Sequence, residues 1–469
     1  MPTQIKFGTS GWRAVVAEEF TFANVRRAAS GIARYVAKKN PSNPRVIVGR
    51  DSRFLGETFC AVAADALAAH GVTPLVIAEP APTPAISYAI THEKADGSIN
   101  ITASHNPPEY NGIKFSTPDG APALPEVTHA VETEIAAFDK ETSGTNQKKP
   151  SSVPLDPREM YLSCLRETID FACIKKAGLR VAFDPFWGAG RGYSDSLLRQ
   201  AGVTVETVHD HRDVLFGGHA PEPDGELLDT LREKMRSMKA HIGIATDGDA
   251  DRFGIVDEDG TFFQPNFVIA LLFDYLVESR GWKNGVAKSV ATTNLVNAIA
   301  KFYTIELHET PVGFKYIGEL IKEDKIVIGG EESAGLSIRH HVAEKDGILA
   351  GLLCCEMVAR RGKSLSRQLE ELFAKVGSLY PQRDNFRLTP EVKAKFTEKL
   401  APHNDPKEFA GLKVCEVVRK DGLKLLFDDG SWVCYRLSGT EPVVRVYTEG
   451  CSQAGLKKLS EAAKQWIFD

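Results

Sequence analysis

Three carboxylates at alternate positions, Asp247, Asp249 and Asp251, follow the strand-like run 241–246 with only Gly248 and Ala250 between them. Held in one turn they repel one another strongly unless a cation neutralises them. An all-oxygen donor set suits a hard divalent ion, and Mg²⁺ is the usual choice where a phosphate completes the shell. The alternative is a solvated acidic turn. The downstream Asp257-Glu258-Asp259-Gly260 fits that alternative better, because Asp-Gly there reads as a hairpin turn.

A hydroxyl nucleophile is available in Thr102-Ala103-Ser104-His105-Asn106-Pro107-Pro108, between the apolar run 98–101 and the turn 109–112. Its Pro and Asn residues specify a loop instead of a helix, which can hold Ser104 forward at a strand end. His105 is the adjacent candidate base, although sequence neighbours seldom face each other as nucleophile and base must. A surface turn is the plain alternative. In Gly329-Gly330-Glu331-Glu332-Ser333-Ala334-Gly335 the acids and hydroxyl can exchange hydrogen bonds with sugar hydroxyls, and capping of a helix by Ser333 explains the same residues locally. Arg436-Leu437-Ser438-Gly439-Thr440-Glu441-Pro442, followed by Arg445, offers hydroxyls, backbone N–H groups and two arginines, the groups that would hold a phosphate monoester that is not being transferred.

These segments need rigid elements to carry them. Apolar runs of strand length recur at 45–49, 178–183 and 289–292, each followed by a turn and a stretch of helical period, which points to mostly parallel α/β sheets. Helices are expected at 24–39, with Gly31 tolerated inside, and at 56–70, ended by Gly71. The stretch 141–154 crowds Ser, Thr, Gly, Asn, Lys and Pro without apolar period and reads as a linker. A second break near 377–384, around Pro381, precedes shorter strands and two helices. The resulting division is 1–150, 151–257, 258–376 and 377–469, with a smaller α+β domain last; the boundary at 258 rests on rhythm and the 257–260 turn alone.

At 469 residues the chain is too long for one core, and its 43% apolar and 25% charged residues are those of an ordinary globular protein. A formal net charge of −5 leaves no broad basic field for nucleic acid. The N-terminal residues lack the apolar core of a signal peptide, and no apolar run is long enough to span a membrane. The eight cysteines show no metal-ligand spacing and are expected to be reduced thiols in the cytoplasm, with Cys354-Cys355 as small residues on a buried helix.

Taken together, and with Phe7-Gly8-Thr9-Ser10-Gly11-Trp12-Arg13 ahead of them, the four segments resemble the signature set of the α-D-phosphohexomutase superfamily, in the family's order and over nearly the whole chain. The resemblance implies four domains around a central cleft, three of related α/β topology and a C-terminal one of α+β kind. It implies that Ser104 carries the phosphoryl group, that Asp247, Asp249 and Asp251 with a phosphate oxygen on Ser104 hold Mg²⁺, and that Arg13 and Arg252 lie near the transferred group. Lys114, in Asn111-Gly112-Ile113-Lys114, matches a proposed general acid/base, which requires its pKa to be lowered by burial and the nearby arginines; simple attraction of phosphate is the other reading. Glu331 and Ser333 match sugar contacts, and Arg436, Ser438, Gly439, Thr440 and Arg445 match the distal phosphate site. Arg50-Asp51-Ser52-Arg53 is expected to support the structure instead of touching substrate.

The implied reaction is reversible interconversion of glucose 1-phosphate and glucose 6-phosphate through glucose 1,6-bisphosphate, which must turn around between two transfers. Glu331-Glu332-Ser333 and Thr310-Pro311-Val312-Gly313-Phe314-Lys315, including Lys315, resemble the phosphoglucomutase forms, with phosphomannomutase or dual specificity as the alternative. The expected partners are small hexose phosphates, with no nucleic acid or membrane, in a monomer or homodimer. A serine-dependent metallophosphohydrolase is the alternative from another class, but such sites recruit a second metal with histidine ligands, and no His cluster accompanies the Asp247 triad.

Overall fold

A computed structural model of the chain describes residues 4–8, 11–139, 150–438 and 442–469. The helix Phe22–Lys39 shows how local sequence sets the architecture. Thr21 caps it by accepting from the Asn24 N–H, and Val25, Ala28, Ala29, Ile32, Ala33 and Val36 bury one face. That spacing is the i, i+3, i+4 stripe of an amphipathic helix. Gly31 is there for space: a Cβ would stand 2.3 Å from Ile135 on the packed helix Pro125–Phe138.

The chain divides into two units. The first comprises Met1–Pro265, Gly313–Asp324 and Ser333–Leu365 and contains two sheets. Across the first sheet run Trp12–Val15, Tyr110–Ser116, Ser98–Ile101, Arg45–Arg50, Thr73–Ile77 and Val153–Leu155. The last four are parallel, and Tyr110–Ser116 is antiparallel to both of its neighbours. The second sheet runs Phe262–Phe263, Phe253–Asp257, Ile242–Thr246, Arg180–Asp184 and Thr204–Thr207, the last three parallel. Val46, Ile47 and Val48, like Ile242 and Ile244, are wholly or almost wholly buried, as expected of strands covered on both faces.

The second unit comprises Asn266–Val312, Lys325–Glu332 and Ser366–Asp469. Gly285–Ser289 pairs in parallel with Leu307–Thr310 on one side and Ile326–Glu331 on the other. Its C-terminal part is an antiparallel sheet running Tyr380–Arg387, Val443–Gly450, Trp432–Leu437, Leu423–Phe427, Leu412–Val418 and Glu408–Phe409. Phe396, Leu425, Tyr435, Val446 and Leu459 form the core between this sheet and the helices Pro390–Lys399 and Gln453–Phe468. The fold is thus α/β in its first three parts and α+β at the C-terminus.

Two expectations need correction. Residues 289–292 are not a strand. The strand is Gly285–Ser289, and 290–292 form the turn after it. The small and β-branched residues of the turn mimic a strand, while the buried Lys288 breaks the apolar signal of the true one. Of the stretch read as a linker, 141–149 lie outside the described residues, and its last two residues, Val153 and Pro154, enter an edge strand, Val153–Leu155, beside Thr73–Ile77; three residues are too few to show a period. The Asp257–Gly260 turn is the expected hairpin, with the Gly260 N–H donating to the Asp257 carbonyl. All eight cysteines are free thiols, with Cys354 and Cys355 buried on the helix Gly347–Arg361. No helix among the described residues is long and apolar enough to cross a membrane.

Candidate active site

In the first unit, the loop after Ser98–Ile101 meets the turn between the antiparallel strands Ile242–Thr246 and Phe253–Asp257. Ser104 donates its hydroxyl to Asp247 Oδ2 at 2.8 Å. The two loops approach so closely that a Cβ on Gly248 would stand 2.7 Å from the Ser104 carbonyl oxygen. The acidic turn is fixed from outside by Thr83, whose N–H donates to the Asp249 carbonyl and whose hydroxyl donates to Asp249 Oδ2, and by Gly347, whose N–H donates to the Ala250 carbonyl. Ser104 and Ala250 both have left-handed backbones, with φ of 53° and 59°. Such conformations are costly for residues with a Cβ and cluster where function requires them.

Lys114, on Tyr110–Ser116, points into the same place. Its ammonium lies 2.6 Å from Asp249 Oδ2 and 2.7 Å from Asp251 Oδ2. Burial works against its charge, but these two carboxylates outweigh burial and raise its pKa. The lowering that an acid/base role would require is not found, and the reading as simple attraction of phosphate is the one this geometry favours: the carboxylates, and not the arginines, dominate the surroundings of the ammonium. His105 Nδ1 stands 3.4 Å from Ser104 Oγ, so these neighbours do meet. Burial, Arg252 and Arg13 push the His105 pKa well below its ordinary value and keep the ring neutral. Arg13 donates to Asn106 Oδ1 at 2.6 Å in the Ser104 loop, and Arg252 pairs with Glu222 at 3.0 Å.

The carboxylates fit a cation. All three are essentially buried, and one ligand oxygen from each lies within 4.8 Å of the others. Oxygens about 2.1 Å from a common octahedral centre lie up to roughly 4.2 Å apart, so little adjustment separates this arrangement from a shell. Asp249 Oδ1 and Asp251 Oδ1 are buried with no hydrogen-bond partner among the described residues. Burial and the charges of Asp249 and Asp251 drive Asp247 well above the usual carboxylate range, which is the strain that a divalent ion relieves.

In the second unit, Glu331 ends the strand Ile326–Glu331 and is buried. From Ser333 the chain belongs to the first unit and enters a strand, Gly335–Ile338, so Ser333 caps no helix. Arg436 and Arg445 are direct cross-strand partners. Arg436 donates to Asp421 at 2.8 Å, and its buried Nε has no acceptor among the described residues. Burial opposes the charge of Arg436, but the hydrogen bond to Asp421 prevails and its pKa is raised. The Ser438 N–H donates to the Val443 carbonyl, while Gly439 and Thr440 lie outside the described residues. Two opposed guanidiniums beside a turn suit a phosphate dianion.

Family models for phosphoglucomutase/phosphomannomutase match in chain order: alpha/beta/alpha domain I at residues 4–142, domain II at 159–260, domain III at 264–376 and the C-terminal domain at 391–465. The chain belongs to the phosphoglucomutase/phosphomannomutase family. A phosphoglucomutase/phosphomannomutase of Thermococcus kodakarensis is 33% identical over 470 residues, covering 98% of this chain and 99% of the relative. A relative in Methanosphaera stadtmanae, named as a phosphoglucosamine mutase, is 29% identical, with 98% of each covered. A crystal structure from Thermus thermophilus, described as a phosphomannomutase, superposes with a TM-score of 0.86 at 33% identity and full coverage of both chains. The protein is accordingly a mutase, an isomerase of the phosphohexomutase kind, and these matches give no support to a phosphohydrolase.

Beside the candidate residues of each unit stand others that the motifs did not flag. Lys345 lies 3.0 Å from Asp251 and 3.1 Å from Glu344, and with Lys114 and Gly11 it lines a recess. Thr83 arrives from the start of the helix Thr83–Glu93. In the second unit, Asp421 accepts from the Val312 N–H at 3.0 Å as well as from Arg436. Lys345 and Thr83 lie far in sequence from the triad they serve, and no local pattern reveals them. Asp421 had a weak signal, an Asp-Gly turn 15 residues before Arg436. Lys315 stands in the first turn of the helix Phe314–Lys322, where partial burial lowers its pKa.

Proposed function

We propose that this mutase interconverts glucose 1-phosphate and glucose 6-phosphate, with Ser104 as the phosphoryl carrier and glucose 1,6-bisphosphate as the intermediate. The observation that carries the reading is the 2.8 Å contact of Ser104 Oγ with Asp247 beside two buried carboxylate oxygens that lack protein partners among the described residues. Asp247, Asp249, Asp251 and a phosphate oxygen on Ser104 are the proposed ligands of Mg²⁺. Bound there, the ion would neutralise charge on the phosphoryl oxygens during transfer. Arg13 and Arg252 attract the phosphoryl group from the protein side. Lys114, held as an ammonium by Asp249 and Asp251, attracts a phosphate oxygen, and neutral His105 orients the Ser104 hydroxyl.

Glu331, Ser333 and Lys315 are assigned to the sugar, and Arg436, Ser438, Gly439, Thr440 and Arg445 to the phosphate that is not being transferred. The functional segments are assigned to domains 1–150, 151–257, 258–376 and 377–469. Because the bisphosphate must turn around, one distal site has to accept either end of it, and two arginines with the hydroxyls of Ser438 and Thr440 suit that task better than a pocket shaped to one sugar face.

Glucose is proposed on Glu331-Glu332-Ser333 and on 310–315. Glucose and mannose phosphates differ at one hydroxyl, so selection rests on one or two hydrogen bonds. The relatives carry phosphomannomutase and phosphoglucosamine mutase names, which makes mannose and glucosamine phosphates the comparison substrates. The test is kcat/KM for glucose, mannose, glucosamine and N-acetylglucosamine 1-phosphates, each primed with its bisphosphate. Glucose should lead. Another sugar ahead by tenfold, about 1.4 kcal/mol at the transition state, would overturn the substrate and leave the mutase chemistry standing.

A further inference from the structure

We propose that Arg53 is the positioning residue that holds Ser104 in its reactive, left-handed backbone conformation, an inference that rests on Ser104 being the phosphoryl carrier. Arg53 is fully buried. Its Nε–H donates to Asp51 Oδ2 at 3.1 Å. Nη1 donates to the carbonyls of Pro107 at 2.8 Å and Tyr110 at 2.9 Å, and Nη2 to those of Ser104 at 2.7 Å and Asn106 at 2.6 Å. A guanidinium has five N–H groups, and all five are used, four of them on carbonyls of the segment 104–110, three in the loop and one at the start of the strand after it. The centroid of the Phe216 ring lies 5.2 Å from its Cζ, within cation–π range.

The partner of Arg53 completes the hold. Asp51 accepts the Thr102 hydroxyl at 2.5 Å, and the Thr102 oxygen accepts the Ser104 N–H at 2.9 Å. Both peptide groups of Ser104 are therefore tied to the Asp51 and Arg53 pair, the carbonyl directly and the N–H through Thr102. A serine at a φ of 53° does not rest there unless its surroundings over-determine it. The carbonyl that Arg53 holds is also the one against which Gly248 of the acidic turn packs. The same guanidinium thus sets the backbone of the nucleophile and the spacing between its loop and the carboxylates. Lysine cannot replace it, since an ammonium has three donors and no planar fork.

The experiment follows the rate at which dephosphorylated protein gains phosphate from glucose 1,6-bisphosphate, read by intact mass with peptide mapping, alongside steady-state kcat and KM. Wild type should gain one phosphate on Ser104. Arg53→Lys should slow that gain by roughly 100-fold, the cost of misplacing a reacting atom by about an ångström. Thr102→Val removes the tie to the N–H and leaves Arg53 in place, so it tests the hold even where Arg53→Lys fails to fold; it should slow the gain about tenfold. In both variants kcat should fall while KM for hexose phosphate stays near wild type, a split that a general loss of structure would not produce. Wild type labelled at a residue other than Ser104 would remove the underlying assignment. Wild type labelled at Ser104 with Arg53→Lys labelled at the same rate, or with Thr102→Val labelled at the same rate where Arg53→Lys does not fold, would overturn the hold of the Asp51 and Arg53 pair on Ser104 while leaving the carrier assignment standing.

Discussion

Lys114 Nζ lies 2.6 Å from Asp249 Oδ2, while Asp249 Oδ1, on the same carboxylate, is buried without a partner among the described residues. One oxygen answers to a fixed cation and the other is left for a second one. The same division holds at Asp251, whose Oδ2 meets Lys114 at 2.7 Å and whose Oδ1 has no partner among the described residues.

Magnesium should therefore stabilise the folded protein as well as support turnover. At a concentration about 100 times its dissociation constant, an ion bound only by the native state adds roughly 2.7 kcal/mol. Thermal melts with Mg²⁺ and with chelator should differ accordingly, and Asp249→Asn should reduce the difference. Melts that superpose, together with full turnover in excess chelator, would rule the ion out.

Removing the Ser104 hydroxyl should abolish turnover whichever small residue replaces it. The two simplest replacements should separate in stability, because a Cβ in the left-handed region costs on the order of 1 kcal/mol and glycine avoids that cost. Ser104→Gly should melt at or above Ser104→Ala, with both inactive. Ser104→Gly melting well below Ser104→Ala would show that the strained backbone is not there.

The four motifs and the helices were legible in sequence because each is local. Asp247, Asp249 and Asp251 share one turn, and Val25 to Val36 share one helical stripe. What escaped was contributed from afar. Lys345 reaches Asp251 from 94 residues down the chain, and Thr83 reaches Asp249 from 166 residues up it. The choice between the two readings of Lys114, acid/base or attraction of phosphate, stayed open in sequence for a related reason. Sequence placed the lysine near arginines, and only the sheet register, which sets Lys114 opposite Asn100, shows that it points at carboxylates.

Stability should fall on the alkaline side through His341. Its side chain is wholly buried, with Nε2 2.7 Å from Asp346 Oδ2 and Nδ1 3.7 Å from Cys164 Sγ, and the Tyr161 hydroxyl donates to the same Asp346 oxygen at 2.6 Å. Burial opposes the imidazolium, but the hydrogen bonds with Asp346 and Cys164 prevail and lift its pKa from 6.5 to about 9. The charged ring stabilises the native state fully below pH 6.5, and that contribution fades as pH rises through about 9. A shift of that size corresponds to a few kcal/mol at most, on the order of 3. Denaturant melts of wild type should lose stability between these pH values, and His341→Gln should flatten the profile. Parallel profiles for the two proteins would dismiss the ion pair.

Arg436 and Arg445 stand opposite each other on paired antiparallel strands. Like charges facing each other across a sheet destabilise it by a fraction of a kcal/mol to about 1. A phosphate between them reverses the sign of the effect, because each guanidinium then pairs with the anion in a charge-assisted bond. Asp421 pairs with Arg436, at 2.8 Å, and so offsets part of the repulsion. Arg445→Gln should consequently melt slightly above wild type in chelator without phosphate. When inorganic phosphate is added, still in chelator, wild type should gain more than the variant, so that the order of the two narrows or inverts. The variant should also raise KM for hexose phosphate by tenfold or more, about 1.4 kcal/mol, with kcat less affected. Equal stabilisation of both proteins by phosphate would place the distal phosphate site away from this strand pair.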